Sequence, residues 1–202
     1  MSKIIALDCD GVLLDYNKAY PKAWFNAFGE VLERKNPGMF FAYNEYDCAF
    51  KNRAQKDEFY DCQGMDFWSN MEPLDGALDA CFDLVYMGYE LICVTSMPDR
   101  FLQPRIKNLN HLGFPISKTF ATGRDCSITT PYNPKREVLL DINPLAFVDD
   151  HADNFLDLPG SGIHLALIDR NQPDSPNKDL MVHTNSVHNN LSDFVSFWKT
   201  LN

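Results

Sequence analysis

No stretch of this 202-residue chain is apolar for long enough to cross a bilayer, and only four apolar residues, Ile4 to Leu7, separate Met1-Ser2-Lys3 from Asp8. A secretory leader or a spanning helix needs a longer run, so neither is expected. Closely paired cysteines are missing as well. Cys9, Cys48, Cys62, Cys81, Cys93 and Cys126 include no C-x-x-C pair, which leaves a zinc cluster without its usual spacing. Cys9 and Cys93 sit in apolar patterns, where a free thiol behaves as a small hydrophobe, and reduced thiols fit a cytoplasmic location. Positive charge is scarce: 18 Lys and Arg face 28 Asp and Glu, for a net charge of −10. Such a field repels nucleic acid polymers and anionic membranes. A small phosphate can still bind where a metal and a few fixed cations hold it. Repeats and low-complexity tracts are absent too.

What is present suits one compact α/β domain with a modest insertion, expected as a monomer or homodimer. Four short apolar runs, Ile4–Leu7, Leu91–Val94, Leu145–Val148 and His164–Ile168, read as strands covered on both faces, with Lys118–Ala121 a weaker fifth. Helical stretches alternate with them. Asp75 can cap Ala77–Met87, Pro98 suits the first turn of a helix to His111 closed by Gly113, Pro134 precedes Lys135–Asp141, and a last helix covers Asn190–Leu201. This alternation predicts a doubly wound parallel sheet of about five strands, formed by residues 1–14 and 74–202. Residues 15–73 read differently, as a small all-helical insertion after the first strand, with helical patterns at Tyr16–Arg34, Asp47–Asp57 and Glu58–Asn70. Its many aromatics are expected to be its packing. Asn171–Lys178, with two prolines, reads as a surface loop.

Three of the strands end in polar or acidic residues: Asp8-Cys9-Asp10-Gly11-Val12, Thr95-Ser96 and Asp149-Asp150. Ligands of an open parallel sheet bind beyond the carboxyl ends of its strands, so these residues should converge on one crevice. The set resembles the four motifs of the haloacid dehalogenase-like superfamily, in the same order. Asp8 to Val12 matches the first motif, Thr95 the second and Asp149-Asp150 the fourth, while Lys135 is the candidate for the third. Lys118 or Arg136 could take that third place, and Ser96 competes with Thr95 for a helix-capping role.

The resemblance implies a Rossmann-like core, with the helical insertion in the place of that family's first type of cap. It also implies a phosphatase that forms a phosphoaspartate on Asp8. Asp10 would act as general acid and base, and Thr95 and Lys135 would hold the phosphoryl oxygens. Magnesium would be bound by the Asp8 carboxylate, the Asp10 main-chain carbonyl and Asp149, with Asp150 and Asp153 orienting ligand and water. Asp10 favours phosphate esters over carbon–halogen bonds, because a departing halide needs no proton. The expected substrate is a small phosphorylated metabolite, a sugar phosphate or a nucleotide. A phosphomutase and a non-catalytic metal- or phosphate-binding module are the alternatives. His151 follows the acidic pair and could touch substrate, though an ordinary partly exposed histidine is the simpler reading.

Overall fold

A computed structural model describes residues 3–123, 130, 132–179 and 181–201. Cys126 lies outside them. Strands β1 (Ile4–Leu7), β2 (Glu90–Thr95), β3 (Ile116–Ala121), β4 (Ala146–Asp149), β5 (His164–Ile168) and β6 (Ser186–His188) form one sheet in the order β3-β2-β1-β4-β5-β6. Every neighbouring pair is parallel. The sheet thus has six strands, not about five. β6 is only three residues long and carries a single apolar side chain, Val187, so no apolar run marks it.

The apolar runs are continuous because the sheet is covered on both sides. Ile5, Leu7, Cys93, Val148 and Ile168 pack with α5 (Ala77–Tyr86) and α8 (Leu191–Leu201). Their alternates Ala6, Ile92, Val94, Phe147 and Leu165 pack with Leu139 of α7 (Arg136–Ile142) and with Phe155. Two caps differ from expectation. Gly76, at φ 75°, precedes α5 with no side-chain cap, so Asp75 does not fill that place. Pro98 opens a short 3-10 turn over Asp99–Phe101, and α6 (Leu102–Leu112) follows, closed by left-handed Gly113. No helix among the described residues is long and apolar enough to cross a membrane.

The segment between β1 and α5 is helical but shorter-jointed than its pattern suggested. α1 (Tyr16–Phe28) starts where Asp15 accepts the Lys18 N–H and stops at left-handed Gly29, before Arg34. α2 (Ala42–Glu45), α3 (Arg53–Cys62) and α4 (Met65–Ser69) follow, with the break at Gln63-Gly64. Asn52 caps α3 by accepting from the Gln55 N–H, so α3 begins at Arg53 and not at Asp47. Its core is an aromatic cluster: Phe59 is fully buried, 4.9 Å from the Tyr20 ring, and Trp24 lies 4.7 Å from Phe28.

Two chain connections join this segment to the sheet, and they pair with each other. Asp15 N–H donates to Glu72 O and Leu74 N–H to Leu13 O, both at 2.9 Å. A third tie comes from the 171–178 loop, which is not simply a surface loop. Asp174 accepts from Phe40 N–H (2.5 Å), Phe41 N–H (3.2 Å) and Asn44 Nδ2 (2.7 Å). Asn177, also buried, donates to Asp150 O and accepts from Ala152 N–H.

Candidate active site

The order of strands reverses between β1 and β4, and that is where an open parallel sheet leaves a crevice at its carboxyl edge. Asp8 follows β1 there, its N–H donated to Val148 O at 2.8 Å, and Asp149 is the last residue of β4. Lys135 reaches them from the residue that precedes α7. Its Nζ lies 2.5 Å from Asp8 Oδ1 and 2.6 Å from Asp149 Oδ2. Its position is set locally, because Asn133 Oδ1 accepts the Lys135 N–H at 2.9 Å. Asp149 is further held by both oxygens on Asn154 Nδ2 (3.0 and 2.9 Å) and by His151 N–H (2.8 Å). Lys118 and Arg136, the other candidates for the cation, are exposed.

One ammonium does not neutralise this many carboxylates. Burial raises the Asp8 carboxyl to about 7; Lys135 pulls it down and Asp149 pushes it up. Burial, with Asp8 and Asp149 beside it, raises Asp150 as well, against the pull of Arg170. Burial opposes the charge on Lys135, but Asp149 and Asp8 outweigh it.

Ligand atoms of Asp8, Asp149 and Asp150 lie within 4.8 Å of one another. Three hard oxygen donors with excess negative charge fit a magnesium-type cation. Asp150 therefore stands in the acidic cluster, nearer than the outer position expected of it. Gly11 makes room for it: at φ +85° it tolerates a conformation other residues resist, and a Cβ there would lie 1.9 Å from Asp150 Oδ2.

Thr95 ends β2, nearly buried, and its Oγ1 accepts the Met97 N–H at 3.4 Å. Asp8, Asp10, Thr95 and Asp150 share one chamber of about 980 Å³ with residues of the helical segment and with Ser96, His151 and Arg170. Arg170 braces the first turn by donating to Gly11 O at 2.8 Å. His151 faces the Phe40 ring at 5.8 Å and lines the chamber.

Sequence reading missed Arg105. This α6 residue is fully buried and donates from Nη2 to Asp10 Oδ1 at 2.7 Å. Its guanidinium lies 5.1 Å from the Trp68 ring and 3.3 Å from Met71 Sδ. One turn on, Asn108 binds both the N–H and the carbonyl of Met71. Burial raises the Asp10 carboxyl, and Arg105 opposes the rise. A signal existed: Arg105 and Asn108 share the buried face of α6 with Leu109, just past buried Phe101 of the preceding turn, where polar residues need a reason.

No protein-family model and no curated protein matches the chain by sequence. Solved structures do match it over nearly its whole length. A Thermotoga maritima protein described as a β-phosphoglucomutase superposes at a TM-score of 0.62 with 15% identity, covering 100% of both chains. A predicted phosphoglycolate phosphatase from Haemophilus somnus gives 0.59 and 16%, over 98% of each. An L-2-haloacid dehalogenase from Xanthobacter autotrophicus, with chloropropionic acid covalently bound, gives 0.57 and 11%, over 100% of each. The chain thus has the fold of haloacid dehalogenase-like proteins. A mutase, a phosphatase and a dehalogenase share that fold, so the reaction must be argued from the residues.

Proposed function

We propose that the protein is a magnesium-dependent phosphatase of the haloacid dehalogenase-like type, hydrolysing a small phosphorylated metabolite through a phosphoaspartate on Asp8. The observation that carries this reading is the buried Lys135 bridging Asp149 to Asp8, which with Asp10 lines the chamber. Asp8 Oδ would attack phosphorus while the ester oxygen leaves with a proton from Asp10. Asp10 would then take a proton from water as that water attacks phosphorus and the bond to Asp8 breaks. Its carboxyl is raised by burial, which favours the protonated form the first step needs. Lys135 and the Thr95 hydroxyl would donate to the phosphoryl oxygens where charge gathers. Asp8, Asp149 and the Asp10 main-chain carbonyl, with Asp150 close by, are proposed to hold magnesium, which would offset the repulsion between nucleophile and phosphoryl group. Residues 15–73 are proposed as a cap that excludes water from the chamber.

The test is release of phosphate from p-nitrophenyl phosphate with magnesium and with chelator, paired with chemical trapping of the enzyme-bound acyl phosphate. Magnesium-dependent turnover with label on Asp8 is expected. Full activity in chelator, or no trapped intermediate under turnover, would remove this mechanism. The Thermotoga maritima neighbour's description keeps a mutase in view, and isomerised product in place of free phosphate would select it.

A further inference from the structure

The cap aromatics do more than pack. Tyr20, Trp24 and Phe59 form the interior of the helical segment, but Phe40, Phe41, Tyr43, Phe50 and Tyr60 line the chamber above the acidic floor. Tyr43 and Tyr60 are each 39% exposed, so ring surface is available to a ligand. Phe41 and Tyr43 stack one over the other, centroids 5.1 Å apart and planes 17° apart, as one wall of the chamber to which a ligand ring can extend the stack. Phe40 meets His151, next to Asp150, so this wall adjoins the acidic floor.

The polar groups of the wall are already committed to one another. Asn17 donates to Met39 O, Phe40 O and Glu45; Glu45 also pairs with Arg34, and Gln63 donates to the Tyr16 hydroxyl. Of the cations, Arg53 pairs with Asp57 and Arg100 with Asp61, while Lys56 lies 5.9 Å over the Tyr60 ring. A polyol set against these ring faces would leave hydroxyls without partners there. A few polar groups in an aromatic chamber of about 980 Å³ suit a flat ring with ring nitrogens or carbonyls.

We propose that this chamber takes a monophosphate ester carrying a planar heteroaromatic ring, a nucleoside 5′-monophosphate, with the ring against the Phe41–Tyr43 wall. This rests on the phosphatase reading and names its substrate class. The phosphoryl group is placed at Asp8 and the ring on the cap, so selection and chemistry fall to different elements.

The experiment compares adenosine and uridine 5′-monophosphate with ribose 5-phosphate, which lacks only the base, in the presence of magnesium. The expected kcat/KM favours the nucleotides by about tenfold or more, in line with base stacking on aromatic side chains. Tyr43→Ala and Phe41→Leu should each shrink that ratio several-fold. Equal efficiency for ribose 5-phosphate would overturn the inference while leaving the phosphatase reading intact, provided p-nitrophenyl phosphate is hydrolysed. If no ester is hydrolysed, the phosphatase reading fails, and tryptophan fluorescence of the Asp8→Asn protein decides the chamber separately. Tighter binding of adenosine monophosphate than ribose 5-phosphate would uphold the ring site, and equal or absent binding would sink it.

Discussion

Asp8 is 6% exposed, and burial raises its carboxyl from an ordinary 3.8 to about 7, with Lys135 opposing and Asp149 adding to the rise. A carboxyl raised in the folded state contributes stability that is complete below about pH 4 and is lost as the pH climbs through about 7. The metal-free protein should therefore lose stability across that window. Asp8→Asn removes the charge and keeps the shape. It should abolish turnover yet melt about 2–8 °C above the parent at pH 8 in chelator, for a gain of ~1–2 kcal/mol. The gap should close near pH 4. An unchanged or lower melting temperature at pH 8 would contradict the burial cost. Arg105 invites a second measurement. If it acts through Asp10, Arg105→Met and Asp10→Asn should each lower kcat on alkyl phosphates, Asp10→Asn by about 100–10,000-fold, and spare activated aryl phosphates. The double variant should then be no worse than Asp10→Asn alone. Additive losses would show Arg105 acting elsewhere.

Among the ties between the helical segment and the rest of the molecule, the one from the 171–178 loop centres on a carboxylate, Asp174. Burial alone would raise Asp174, but hydrogen bonds from Asn44, Phe40 and Phe41 outweigh it and hold the carboxyl below its usual value. That stabilisation is present above about pH 4 and fades as pH falls further. Asp174→Ala should free the strip that carries Phe40 to Tyr43. Amide exchange of residues 38–45 should accelerate at least tenfold, and KM for a ring-bearing monophosphate should rise while kcat changes less. Unchanged exchange would mean that the other ties, among them the pairing of residues 13–15 with 72–74 and Asn108 on Met71, suffice to hold the segment. On the other side of the crevice, the tight turn at Gly11 serves Asp150. Gly11→Ala must displace either the turn or that carboxylate, so it should weaken metal affinity even where the protein stays folded.

For the molecule as a whole, a bound cation should stabilise by mass action. Magnesium at about 100 times its dissociation constant contributes ~2.7 kcal/mol, which in a domain of this size raises melting by about 5–11 °C. Asp149→Asn should erase most of that shift, and calorimetry with magnesium alone reads it without any activity. A full shift in that variant would place the cation elsewhere. Calcium should bind but inhibit, since it favours more oxygen ligands in looser geometry.

Local chemistry made much of this protein readable in one dimension. Continuous apolar runs announce strands buried on both faces, and Asp8, Thr95 and Asp149 at their ends point to a shared crevice. Lys135 was legible because a basic residue beside Pro134 starts a helix, though nothing in the chain ranked it above Lys118 or Arg136. Only the fold did, by burying Lys135 between two carboxylates and leaving the others exposed. β6 escaped because a three-residue strand makes no periodic pattern, and is held by pairing with β5. The Arg105–Asp10 pair spans 95 residues and Asp174 reaches back more than 130 to the aromatic strip. Contacts at that separation leave no periodicity to read, because partner choice depends on which surfaces the packed core brings face to face. The residues that can do chemistry are a property of the sequence, and the partners that restrain them are a property of the tertiary structure.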